Sequence, residues 1–287
     1  MARRKIELCT GCATEIPFAA RDCVGCGMDV GFPNVRFADD QDEQRALHGR
    51  LRTAQASATA KGCHLELENF GTAATDSEAV ISLQLSALDA WVSISNKTMV
   101  AYHAQVRSGA RLPSNNEYDE NRIRVESAVL PYGVHENINF AALTLDRLGV
   151  RHYGDYSVTL NDRMIAKRAS VFEENPFIFY DKFMISSTSS LPSGYRASWS
   201  RRSELAMAKL HPKVAKGMSL NDFPSILIDQ GVKSTEADFI EVHIYGPIHP
   251  RAINNVSGPV PKDKADKIIW KRVKRELLKF GATVKEA

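Results

Sequence analysis

The pattern of apolar and polar positions changes character several times along the chain. Residues 1–34 carry too few apolar positions for a core of their own. From Asp39, the stretch DDQDEQRALHGRLRTAQASATAKG offers Leu47 and Leu51 and then a run of small residues. It reads as an exposed spacer helix interrupted at Gly49, or as a partly disordered tether. SEAVISLQLSALDAW places Val80, Ile81, Leu85, Leu88 and Trp91 on one apolar side, with Asp76 ahead as a cap. That spacing predicts a helix resting on whatever follows.

From Lys97 the pattern alternates. KTMVAYHAQV, GDYSVTL, KRASVF and DFIEVHIYG read as strands, and residues 108–135, polar and turn-rich, as a long functional loop. HENINFAALTLDRLG predicts a short helix ended by Gly149. WSRRSELAMAKLHP predicts a helix stopped by Pro212, and PKDKADKIIWKRVKRELLKFG a basic terminal helix with Ile269, Val273, Leu277 and Phe280 as its apolar stripe. Strands mixed with helices, without a regular βαβ order, make the fold class α+β. The divisions expected are 1–34, 35–92 and 93–287.

Composition narrows the class. The chain has 287 residues, 44% hydrophobic and 25% charged, as a water-soluble globular protein does. A net charge of +3 is too small to imply a nucleic-acid partner by itself. No run of about 18 apolar residues occurs, so no membrane span is expected, and MARRKIELCTGC lacks the apolar stretch of a secretion signal. A cytoplasmic location follows as an expectation. No dinucleotide fingerprint, phosphate-binding loop, zinc-protease helix or serine-hydrolase elbow is present.

Four of the five cysteines form Cys9-x2-Cys12 and Cys23-x2-Cys26. Two thiolates on each of two tight knuckles complete a tetrahedral site, and Gly11, Gly25 and Gly27 suit the turns. Structural zinc is the expectation, closed to chemistry because all four ligands come from the protein. The domain would be a ribbon that takes its folding energy from the metal. Cys63 stands alone and reads as a small core residue.

One carboxylate raises a question of chemistry. Glu241 lies inside the β-branched run Phe239–Ile244. Alternation puts Ile240, Val242 and Ile244 on one side, and Phe239, Glu241, His243 and Tyr245 on the other. A carboxylate there costs free energy unless it is paired or turned to a cleft.

Three segments stand in order: Val100–Gln105 with His103, Phe183–Ser189 with its hydroxyl cluster, and Ile240–Ile244 with Glu241. This order resembles the ADP-ribosyltransferase superfamily, and EVHIYGPIHPRAI resembles the glutamate strand of the DarT-type toxins. GDYSVTL and the Arg168-Ala169-Ser170 segment are similar to middle strands of that superfamily. The resemblance covers residues 95–256 or so, and implies a split β-sheet core around NAD. It implies Glu241 as an ionised catalytic carboxylate, Arg168 at the pyrophosphate or acceptor, and His103 on the adenine-side ribose. It further implies Tyr153 and Tyr156 against nicotinamide, and Ser187 supporting the glutamate. Either Arg168-Ala169-Ser170 or Ser187-Thr188-Ser189 can fill the middle motif. Phe239 stands where arginine-modifying members carry Gln or Glu, which implies a nucleic-acid acceptor, RNA or DNA. A toxin or anti-phage role, with an antitoxin or inhibitor as partner, is what the resemblance implies for biology. The residues also leave open an NAD glycohydrolase and a non-enzymatic zinc-ribbon binding module. The basic terminal helix, with Arg3, Arg4, Lys5, Arg201 and Arg202, is the candidate phosphate-binding surface.

Overall fold

The computed structural model describes residues 6–94, 96–112, 117–185, 191–233 and 236–286. Two knuckle hairpins, bridged at Leu8–Glu15 and Asp22–Asp29, open the chain. Then come α1 (Pro33–Ala38), α2 (Gln41–Lys61), α3 (His64–Thr75), β1 (Glu78–Leu83) and α4 (Leu85–Val92). The middle of the chain gives α5 (Tyr102–Arg107), α6 (Glu117–Val129), β2 (Ile138–Thr144), β3 (Tyr156–Leu160), α7 (Asp162–Ile165), β4 (Ala169–Phe172), α8 (Pro176–Lys182) and β5 (Arg196–Ser198). The last third gives α9 (Arg202–Leu210), α10 (Phe223–Leu227), β6 (Ile228–Asp229), β7 (Asp238–Phe239), β8 (Glu241–Tyr245), β9 (Ile253–Gly258), α11 (Lys264–Lys279) and β10 (Thr283–Glu286).

The mixture of helices and strands agrees with the α+β reading, but the strands do not split into two sheets. Eight of them form one sheet in the order β10-β9-β3-β1-β2-β8-β4-β5, and β6-β7 form a small ribbon beside it. Only β10 and β9 run parallel within the large sheet. One face of the sheet carries Ile81, Ala141, Leu143, Val158, Val171, Val242 and Ile244. It packs with residues of α2, α3, α4, α9 and α11 into the main core. The other face bears two smaller clusters. Val129, Ile138, Phe172 and Phe179 make one, and Val80, Ala142, Val150 and Phe239 make the second.

Two expected helices are partly or wholly strands. Residues 78–83 form β1, and only Leu85–Val92 of that stretch is helical. Asp76 ends α3 instead of capping a helix ahead of it. HENINFAALT becomes β2, paired on one side with β1 and on the other with β8. Both strands are buried on both faces, so their apolar residues run on without polar alternation and mimic a buried helix. Conversely, the strand expected around His103 is α5, and the loop expected over 108–135 contains α6. The stretch from Asp39 is neither broken at Gly49 nor a tether. It forms α2 over 21 residues, capped by the Asp40 side chain, with Leu47, Ala54 and Ala58 buried in the main core.

Candidate functional site

Glu241 opens β8, opposite Ala142 on one neighbour and Phe172 on the other. The alternation read from the sequence holds here. Val242 and Ile244 enter the main core, while Glu241 and His243 lie on the second face. Glu241 is 8% exposed, and its Oε2 lies 2.8 Å from His243 Nε2. Burial, with the Glu126 charge nearby, pushes the Glu241 carboxyl well above the usual carboxylate range, and Arg122 opposes this only in part. Burial, helped by Arg196, pushes the His243 imidazole down to about 3. Burial thus disfavours the charged form of both groups, whereas the sequence led us to expect an ionised Glu241.

Glu241 lines a cleft of about 890 Å3. Its walls come from the two smaller clusters, among them Val80, Phe140, Ala142 and Phe239, and from Tyr153 and Asn175. Tyr153 stands edge-on to Phe239 at 6.4 Å and is 45% exposed. Its position is fixed by the next residue. Gly154 has φ +154, and a Cβ there would sit 2.1 Å from the Leu83 carbonyl carbon, so only glycine lets the chain pass β1 this closely.

The cleft also has cationic lining. Lys97, Arg111 and Arg122 line it together with Tyr102. The Arg122 guanidinium lies 4.1 Å and that of Arg111 4.7 Å from the centre of the Tyr102 ring. Arg122 Nε donates to Glu126 Oε1 at 2.5 Å, and His103 Nε2 lies 2.6 Å from Glu126 Oε2. His103 thus sits on a helix behind the cleft wall, joined to the cleft through Glu126.

Two expected site residues lie elsewhere. Tyr156 is 4% exposed in the main core, packed on Trp270, with its hydroxyl donating to the Pro259 carbonyl. Arg168 does not line the cleft. Its Nη1 donates to the carbonyls of Tyr245, Gly246 and Pro247, which pins the turn after β8. Ser187 lies outside the described residues. Ser170 is buried and accepts from Asn34 Nδ2 at 3.0 Å, which also donates to the backbone carbonyls of His243 and Arg168. The basic surface also changes. Arg201 pairs with Glu204, and Arg202 donates to the Ser77 and Trp199 carbonyls. Arg3, Arg4 and Lys5 lie outside the described residues.

Glu126, Arg122, Arg111 and Tyr102 escaped the sequence reading. The available signal was the four-residue spacing of Arg122 and Glu126, which puts both on one side of a helix.

The sulfurs of Cys9, Cys12, Cys23 and Cys26 lie within 4.8 Å of one another, so the four can hold one metal ion. The Gly11 and Gly25 amides donate to the sulfurs of Cys9 and Cys23, each at 3.4 Å, as the knuckle turns require. Cys63 is fully buried in the main core. No helix among the described residues is long and apolar enough to cross a membrane. A scan against protein-family models gave no match to the chain, and a search of curated proteins gave none either.

Proposed function

We propose that the protein is an NAD-consuming ADP-ribosyltransferase whose catalytic carboxylate is Glu241. One observation carries the reading: Glu241 and Tyr153, both singled out from the sequence, line the same cleft. The volume of that cleft lies within the roughly 300–1,000 Å3 of ligand pockets. Its features suit the parts of a dinucleotide. Lys97, Arg111 and Arg122 offer cations to a pyrophosphate, and Tyr153 an aromatic surface to a base. They take the place that the sequence gave to Arg168.

The chemistry breaks the bond between nicotinamide and ribose through a transition state positive at the anomeric carbon. A carboxylate beside that carbon stabilises the charge. In the free protein burial disfavours the Glu241 anion. A cationic nicotinamide ribose brought next to it reverses that balance, so substrate binding and ionisation of Glu241 are coupled. His243, neutral and 2.8 Å away, is the group beside Glu241 through which a proton can be rearranged.

The four-cysteine cluster is read as a structural zinc site, since an all-thiolate set leaves no open position. The acceptor is read as a nucleic acid. Lys264, Lys267 and Lys271 on α11 have no ion partner among the described residues, while the same helix buries Trp270, Val273 and Leu277. On this reading the enzyme is a cytoplasmic toxin or anti-phage effector, and an antitoxin or inhibitor protein is its expected partner.

The protein incubated with labelled NAD and RNA, DNA or protein should release nicotinamide and label the nucleic acid. Release without label would make it an NAD glycohydrolase. No release with any acceptor would favour the binding module.

A further inference from the structure

We propose that Glu126 is a second catalytic carboxylate of this cleft, the base that takes the proton from the group attacking the ribose. The proposal rests on the NAD-consuming reading and deepens it. Glu126 lines the same cleft as Glu241, from a different element, and is 3% exposed. Its two oxygens have different partners: Arg122 Nε donates to Oε1, and His103 Nε2 meets Oε2. A salt bridge this buried is costly to assemble and is weak grounds for a purely stabilising role. Its position on a cleft wall supplies another.

The two carboxyls are set apart by their surroundings, and this divides the labour. Glu241 faces apolar strands and, at 2.8 Å, the His243 imidazole, and burial disfavours its anion. Once substrate favours that anion, it is engaged with the ribose and is poorly placed to take the proton of an attacking group. Glu126 instead faces the Arg122 guanidinium at 2.5 Å and the His103 ring at 2.6 Å. Pairs of carboxyls whose environments differ in this way take different roles in acid–base chemistry. In the step, the bond from the anomeric carbon to nicotinamide breaks, and its electron pair leaves with neutral nicotinamide. A lone pair on the acceptor oxygen or nitrogen forms the new bond to that carbon. The acceptor's proton passes to a Glu126 oxygen, leaving a neutral acid. His103, expected from the sequence to touch a ribose, becomes a positioning residue that acts through Glu126. Its ring meets that of His135 edge to face at 4.9 Å, which fixes its orientation.

The test compares nicotinamide release and NAD binding for the full-length parent, Glu126→Gln, Glu126→Asp and Glu126→Ala with and without formate. Loss of a positioned base costs about 10²–10⁴-fold in rate, so Glu126→Gln should fall by that much while binding NAD as the parent does. Formate should restore part of the Glu126→Ala rate, because a free carboxylate fills the gap, and a purely structural role would show no such rescue. If Glu126→Gln does not fold, Glu126→Asp decides: it keeps the charge, and should fold and turn over slowly. Parental turnover in Glu126→Gln or Glu126→Asp, or loss in Glu126→Ala that formate leaves untouched, overturns the proposal and leaves the NAD reading standing. A parent that releases no nicotinamide with any acceptor overturns the NAD reading, and this one with it.

Discussion

A single buried pair, Glu241 with His243, sets the behaviour of the cleft with pH. The His243 imidazole is pushed down to about 3, against roughly 6.5 in an unfolded chain. Its stabilising contribution is present above the unfolded value and is lost as pH falls through that window, because the unfolded chain binds the proton more readily. The raised Glu241 pKa has the opposite sign: its contribution is present below the unfolded value of about 4.3 and is lost as pH rises through the folded one. Melting curves at pH 7 and pH 5 should show the two contributions opposing each other in the parent, so that this pair adds little net acid sensitivity. His243→Gln, which keeps only the Glu241 contribution, should gain stability on acidification relative to the parent by on the order of 1 kcal/mol per pH unit below about pH 6.5, and equal acid sensitivity in both proteins would contradict a buried neutral His243. Glu241 was legible in the sequence because a carboxylate within an alternating β-branched run has few uses. Glu126 was not, because a basic and an acidic residue four apart look the same on a solvated helix as on a buried one. Tyr156 misled for a related reason: its period in β3 is that of its neighbours, and only the sheet order shows that its side faces the main core.

At the scale of elements, the ribbon is tied to the eight-stranded sheet through α1. Asn34 is 1% exposed, and its single amide nitrogen donates to the carbonyls of Arg168 and His243 and to Ser170 Oγ, bridging β4 and β8 beside Glu241. Asn34→Ala should cost about 1–3 kcal/mol in denaturant unfolding, since it leaves buried acceptors unpaired; a variant as stable as the parent would show that water replaces the amide. Elemental analysis should find one zinc per chain in the parent and none in Cys12→Ser, which should also melt at lower temperature. A full complement of zinc in Cys12→Ser would refute the four-cysteine site. The cysteine spacing made this element readable from the sequence. The central strands β1 and β2 were unreadable as such, because residues 79–81 and 140–143 run apolar on both faces and interrupt any polar alternation that would mark a strand period. The basic helix α11 was read correctly as a helix. Its role makes a separate prediction: Lys267→Glu with Lys271→Glu should weaken labelling of RNA or DNA and its dependence on salt, while nicotinamide release in the absence of acceptor stays at the parental rate.

For the whole molecule, one continuous sheet divides two environments. The face under α2, α3, α4, α9 and α11 is the apolar core, and the opposite face holds the cleft with its buried carboxyls. The sequence foretold the mixture of strands and helices and the glutamate on the less apolar side of its strand. It did not foretell that the sheet is undivided, since strand order depends on contacts between segments far apart in the chain. The central claim is that this cleft consumes NAD by way of Glu241, and nicotinamide release by purified parent, Glu241→Gln and Glu236→Gln tests it most directly. Glu236 accepts from the Val232 and Lys233 amides in a turn before β7 and has no part in the cleft, so its variant is the internal control. The parent and Glu236→Gln should release nicotinamide at similar rates, and Glu241→Gln, still folded, should be slower by on the order of 10²–10³-fold. Release by Glu241→Gln at the parental rate would contradict that claim.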